Sequence, residues 1–174
     1  MAMAFSTDPA ARWAWPDPLQ FITIFIPLVT LFGGKSLDHG SAYIIGDFCG
    51  VAQWLPPAVH PDDEAIGDLF ETHMSHPRLA EVLFLFEQMA AFHPSEPHWY
   101  LPLIGVDPRF QGRGYGTLLM EEGLAACDRH RQLAYLEATS PVNRSLYERL
   151  GFRVLGEIRS GDSPPMFPML REPR

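Results

Sequence analysis

The stretch from His98 to His130 constrains this chain more than any other. "HWYLPLIGVDP" is a run of β-favouring residues, "RFQGRGYG" puts three glycines at alternate positions, and "TLLMEEGLAACDRH" returns to helical spacing. A strand feeding a helix through a glycine turn calls for a second, parallel strand after the helix. "LAYLEAT", Leu133 to Thr139, answers: Ala134, Leu136 and Ala138 alternate with Tyr135, Glu137 and Thr139. The two strands are expected to lie parallel in one sheet. Pro102 interrupts the first of them and cannot donate to a ladder, which predicts a bulge or a departing neighbour there.

Other punctuation fills in the order. Asp17-Pro18 opens an apolar helix that Gly33-Gly34 closes, with a kink expected at Pro27. Its core, "LQFITIFIPLVTLF", is 14 residues long and broken by Gln20, Thr23 and Thr30, shorter than the ~20 that cross a bilayer. A buried helix is the expectation, and no membrane. "SAYIIGDFCGVAQWL" reads as a hairpin turning tightly at Gly46-Asp47. Residues 62–75 and 78–92 have helical spacing. Ser140-Pro141 caps a helix that ends at Gly151, and "FRVLGEI" and "MFPMLR" supply two last strands. The order ββ-αα-β-α-β-α-β-β is an α/β sandwich, a mixed sheet with helices on both faces.

At 174 residues the chain, 1–174, is read as one domain with room for a real core. A net charge of −8 offers no basic face to nucleic acid. Cys49 and Cys127 are widely separated and read as free thiols. "MAMAFSTDPAARW" lacks the basic start and apolar run of a secretory leader, so a cytoplasmic protein is expected. His73 and His76 sit one helical turn apart, but Pro77 ends that helix and no carboxylate completes a set, so no metal is expected.

Three phosphate-binding patterns compete for the glycines. Counting from Gly112 and Gly114, the third position of a dinucleotide fingerprint is Thr117, so it fails. The only "GKS", at Gly34, has Val29 where a Walker loop needs glycine, and fails too. Gln111-x-x-Gly114-x-Gly116 satisfies a third pattern, Q/R-x-x-G-x-G/A between strand and helix. Backbone N–H groups from Gly112 to Thr117, backed by a helix N-terminus, suit a pyrophosphate.

In family order and near family spacing, "LPLIGVDP", "QGRGYG", "YLEATS" and "NRSLYERLGF" resemble the GNAT superfamily of acyl-CoA-dependent N-acetyltransferases, across roughly residues 41–171. The likeness is greatest to the branch containing puromycin N-acetyltransferase-like proteins and does not extend to substrate. It implies acetyl-CoA as cosubstrate and a splayed sheet. The backbone of Ile104, Gly105 and Val106 would hold the pantetheine arm. Gln111, Gly112, Arg113, Gly114, Tyr115, Gly116 and Thr117 would hold the pyrophosphate. Asn143 and Tyr147 share one helix face at i and i+4; by resemblance Asn143 bonds the cofactor arm and Tyr147 is the general acid to the CoA sulfur. Val142, Leu146 and Leu150 are expected to form the core stripe beside them.

The general base stays open between His98, Glu137 and a water relay. Trp13, Trp15, Phe48 and Trp54 are candidates either for an apolar acceptor wall or for core. Family members open with a strand before the first helix; "AFSTDPAARWAWPDP" reads as helix with no strand in front. The strand Ser41–Gly46 is then expected at the sheet edge, where a second copy could pair with it as a homodimer. The expected activity is acetyl transfer to the primary amine of a small molecule. Two alternatives stand beside it: a non-catalytic acyl-CoA-binding protein, and a protein or peptide N-acetyltransferase, which an open acceptor groove would favour.

Overall fold

The computed structural model describes residues 1–174. Two short helices, α1 (Ala2–Phe5) and α2 (Pro9–Ala14), precede α3 (Pro18–Gly33) and the single turn α4 (Lys35–Asp38). Asp8 and Asp17 cap α2 and α3: their carboxylates accept from the backbone N–H of Ala11 and Gln20, with proline at the helix start. Then follow β1 (Ala42–Ile45), β2 (Gly50–Leu55), α5 (Asp63–His73), α6 (Arg78–Phe92), β3 (His98–Val106), α7 (Tyr115–His130), β4 (Leu133–Ala138), α8 (Pro141–Arg149), β5 (Arg153–Val154) and β6 (Phe167–Arg171). From β1 onward this is the expected order. Residues 1–10 hold helix and no strand, and β1 is an edge of the sheet.

The six strands form one sheet, β1-β2-β3-β4-β6-β5, in which only β3 and β4 are parallel neighbours. One face buries Trp54, Leu101, Leu136 and Met169 under Leu119, Met120 and Leu124 of α7 and Tyr147 of α8. The other carries the aromatic cluster of α2, α3, α5 and α6, with Phe25, Phe70 and Val82 around Leu103. Helix α7 is seated by Gly123. A Cβ there would stand 2.1 Å from the Trp54 indole nitrogen, so the helix rides directly on that ring and its N-terminus is fixed over the sheet.

Between Gln53 and Leu55 of β2, β3 advances from Leu103 back to Tyr100, one residue more than its partner. That is a bulge at Leu101-Pro102, where the missing proline N–H costs no ladder bond. Parallel pairing of β3 with β4 covers only His98–Tyr100 against Leu133–Tyr135. Beyond it the strands separate, and the β4-facing edge of β3 from Leu101 to Val106 has no strand beside it. The splay predicted from Pro102 is present.

Three local expectations differ. The hairpin turns through four residues, Gly46 to Cys49, with Gly46 and Phe48 at positive φ, because β2 pairs from Gly50 and not earlier. Val142 is 79% exposed, so only Leu146 and Leu150 of its stripe pack on the core. Helix α3, with Pro27 inside it, forms with α4 a run Pro18–Asp38 of 21 residues, longer than the 14-residue core suggested. By length and composition alone that run matches a bilayer. Its inner face, Phe21, Ile24, Phe25 and Leu28, is buried in the core, while Leu19, Ile22 and Ile26 are exposed.

Candidate active site

The splay opens a cleft of about 470 Å³ between β3, the glycine loop and α8. Ile104, Gly105, Val106, Gln111, Gly112, Gly114, Tyr115, Gly116, Thr117, Asn143 and Tyr147 all line it. Of the residues singled out for the cofactor and for the general acid, only Arg113 stays off the wall; its guanidinium lies 5.2 Å from the centre of the Phe110 ring. The loop is closed from within. Gln111 Nε2 donates to the Val106 carbonyl at 3.1 Å, and Asp107 accepts from the Arg109 backbone and guanidinium. The Arg109 hydrogen bond holds the Asp107 carboxyl down at about 2.

Gly112 and Gly114 have φ of 74° and 83°, and a Cβ at either would meet nothing within 4 Å, so both face open space. Gly114 is the N-cap of α7 and no side chain caps the helix. The first N–H groups, of Tyr115, Gly116 and Thr117, therefore point out of the helix without intrahelical partners. An anion in the cleft would meet these donors and the positive helix end.

Ser140 Oγ accepts from the Asn143 backbone N–H at 3.2 Å, fixing the start of α8. This aims Asn143 and Tyr147 into the cleft while Leu146 holds the helix to the core. Burial raises the Tyr147 pKa above the ordinary phenol value, and the nearby Asp8 charge adds to it. Tyr147 therefore stays a proton donor at any physiological pH.

A second cavity, about 90 Å³ and mostly apolar, lies between the sheet and helices α2, α3 and α6. Trp15, Phe25, Leu28, Phe86 and Met89 form much of its wall, and Pro102, Leu103, Glu137 and Thr139 its sheet side. The two cavities share Phe5 and Asp8 in their walls, and so lie side by side near Tyr147. Asp8 was not legible as a site residue. Its sequence signal is that of a helix cap, and its second oxygen accepts from the Thr139 hydroxyl only because the fold brings α2 to β4. Burial raises its pKa too.

The candidates for base separate here. Glu137 faces the apolar cavity with its side chain 4% exposed. Tyr100 Oη donates to its Oε2 at 2.9 Å, and burial, opposed by that bond, pushes the carboxyl up to about 7. His98 lines a different cavity. Of the four aromatics, only Trp15 reaches the apolar wall. Trp54 is core, Trp13 packs under the Arg78 guanidinium, and Phe48 is 77% exposed.

Residues 81–154 match the profile of the acetyltransferase (GNAT) domain. The match covers less than half of the chain, from within α6 to β5. An uncharacterized N-acetyltransferase of Schizosaccharomyces pombe is 28% identical, covering 98% of this chain and 76% of its own length. A solved structure from Corynebacterium glutamicum, called histone acetyltransferase HPA2 and related acetyltransferase, superposes with a TM-score of 0.66. It is 28% identical, covering 99% of this chain and 87% of that one. Arylalkylamine N-acetyltransferase 2 of Aedes aegypti shares the fold at 15% identity, with a TM-score of 0.64 and coverage of 99% and 91%. The chain is an acyltransferase, and the matched stretch takes in β3, the glycine loop, α7, β4 and α8. GNAT enzymes take their acetyl group from acetyl-CoA.

One prediction belongs to the GNAT loop. In Gly114→Val the β-carbon enters open space, but φ of 83° strains a branched residue, so folding is monitored by thermal melting. Acetyl-CoA affinity should fall at least about tenfold, ~1.4 kcal/mol. Calorimetry on the folded variant decides; unchanged affinity removes the loop from the cofactor site.

Proposed function

We propose that this acyltransferase moves the acetyl group of acetyl-CoA to the primary amine of a small, largely apolar molecule, with both substrates bound together. The observation that carries this reading is that the two cavities are neighbours. One is lined by backbone donors; the other is apolar and walled by three helices, and they share a wall at Phe5 and Asp8, close to Tyr147. The donor-lined cleft fits acetyl-CoA by its chemistry. The free edge of β3 at Ile104–Val106 would take the amide-bearing arm, the Gly112–Thr117 donors the pyrophosphate, and Asn143 a polar group between them. Acetyl-CoA supplies an activated acyl carbon on a thiol leaving group.

Glu137 is the base in this reading. With a pKa of about 7 it is substantially ionised near neutrality and can take a proton from the acceptor nitrogen. Tyr147 delivers a proton to the departing sulfur. The small volume and apolar wall of this cavity favour a small acceptor over a polypeptide. The likeness to the puromycin N-acetyltransferase-like branch bears on the cofactor half alone, and the reading places the enzyme in the cytoplasm with the acetyl-CoA pool.

The test is thiol release from acetyl-CoA with butylamine, benzylamine, spermidine and an alanine-started tetrapeptide. Release with butylamine or benzylamine well above the other two is expected. Preference for the tetrapeptide would overturn the small-molecule acceptor.

A further inference from the structure

The Glu137 carboxylate has one oxygen engaged and one that makes no full hydrogen bond, with the Tyr135 hydroxyl near enough to act on the group. Oε2 accepts from Tyr100; Oε1 is buried without a hydrogen-bond partner, 3.6 Å from His93 Nε2. His93 Nδ1 lies 3.1 Å from His98 Nε2, and His98 Nδ1 lies 2.8 Å from the Glu96 carbonyl oxygen. That carbonyl settles both tautomers. It can only accept, so His98 carries its proton on Nδ1 and its Nε2 is bare. His93 must then donate from Nδ1, which leaves its own Nε2 lone pair towards Glu137.

The two rings line a cavity of about 410 Å³ that shares no residue with the apolar pocket. We propose that His93 and His98 are a proton exit, carrying the acceptor's proton from Glu137 to solvent through this second cavity. It rests on the reading of Glu137 as base. An acceptor filling the apolar pocket blocks water from that side, so a base buried there needs another way to discharge.

The steps balance. The Glu137 O–H breaks as His93 Nε2–H forms; His93 Nδ1–H breaks as His98 Nε2–H forms; the His98 imidazolium gives its Nδ1 proton to water. Exchange with water at the partly exposed rings restores the starting tautomers. Burial lowers the His93 pKa to about 4, and charging of either neighbouring histidine would lower it further, so His93 passes a proton on and does not store it. Around the pair stand His60 from the segment after β2, Glu96, Tyr100 of β3 and Tyr135 of β4, with Asp63 of α5 acting on Tyr100. None of the carboxylates among them contacts His93, which leaves Glu137 as its proton source.

The experiment uses benzylamine as acceptor and imidazole as an added carrier. In His93→Ala, kcat should fall about tenfold or more while acetyl-CoA affinity holds. The loss should recover as imidazole is raised, with a solvent isotope effect that the parent enzyme lacks. The parent should be indifferent to imidazole, and Glu137→Gln should be slow and not rescued. A His93→Ala enzyme at the parent rate, or one slow but deaf to imidazole, overturns the exit. A Glu137→Gln enzyme at the parent rate overturns the base itself, so the two failures are distinguishable. His98→Gln provides a second variant should His93→Ala fail to fold; it should slow in the same way, and the parent rate there also overturns the path.

Discussion

Replacing Glu137 by Gln should slow acetyl transfer by ~10²–10⁴ in kcat/KM, the range for a positioned base, and leave acetyl-CoA affinity unchanged. The amide keeps the shape of the side chain and can still accept from Tyr100, so the packing of β4 should survive. In the parent, kcat/KM should rise about tenfold per pH unit up to about 7 and then level as Glu137 ionises; the Gln variant should lack that limb. Stability moves the other way. Folding raises this carboxyl from 4.5 to about 7, so the folded chain binds more protons than the unfolded one between those values. The cost is absent below about 4.5, grows as pH rises, and is complete above about 7. Glu137→Gln should therefore be more stable than the parent at pH 8, by at most roughly 3 kcal/mol, and no more stable at pH 4. A variant that is slow and less stable at pH 8 would make Glu137 a structural residue.

The parts of this fold legible in sequence are those whose signal is local. Asp17-Pro18, Ser140-Pro141 and the glycine loop act within a few residues, and each begins a helix where its chemistry requires. Pro102 reached further, because a residue without an N–H must stand where a ladder bond is absent, and the bulge and splay follow from it. Most of the lining of the β3–α8 cleft was legible for the same reason: its residues lie on one strand, one loop and one helix face.

The apolar cavity beside it was not. Alternation along β4 puts Glu137 and Tyr135 on one face but does not say what covers that face. Asp8 reads as a cap and His93 as a loop residue before "PSEPH". Only the docking of α2 against β4, and the return of the chain from α6 to β3, bring them to the site. Helix α3 is apolar on all sides, so no period could separate buried Ile24 and Phe25 from exposed Ile22 and Ile26. Val142 misled in the opposite sense: it continues a helical stripe, but at the first turn of α8 that stripe runs over the open cleft.

Tyr147→Phe separates the chemistry of α8 from its packing. The ring lies in the core under α7, in contact with Phe152, and the variant keeps all of that surface. Only the hydroxyl goes, and with it the one proton the residue can deliver into the cleft. Because burial and the Asp8 charge both disfavour ionisation, the phenol of the parent is protonated throughout the working pH range. The loss should therefore be the same at pH 6 and pH 9, in contrast to the pH-dependent limb set by Glu137. Single-turnover transfer from acetyl-CoA should slow by ~10²–10⁴ if Tyr147 alone protonates the sulfur, and by less where water substitutes. Affinity for acetyl-CoA should change little, since the glycine loop and the β3 edge are untouched. A further discriminator is the leaving group: a thioester whose thiol is more acidic than CoA needs less help to depart, so the gap between the two enzymes should narrow with it. Equal single-turnover rates for Tyr147→Phe and the parent would leave the tyrosine as packing, and protonation of the thiolate would pass to solvent.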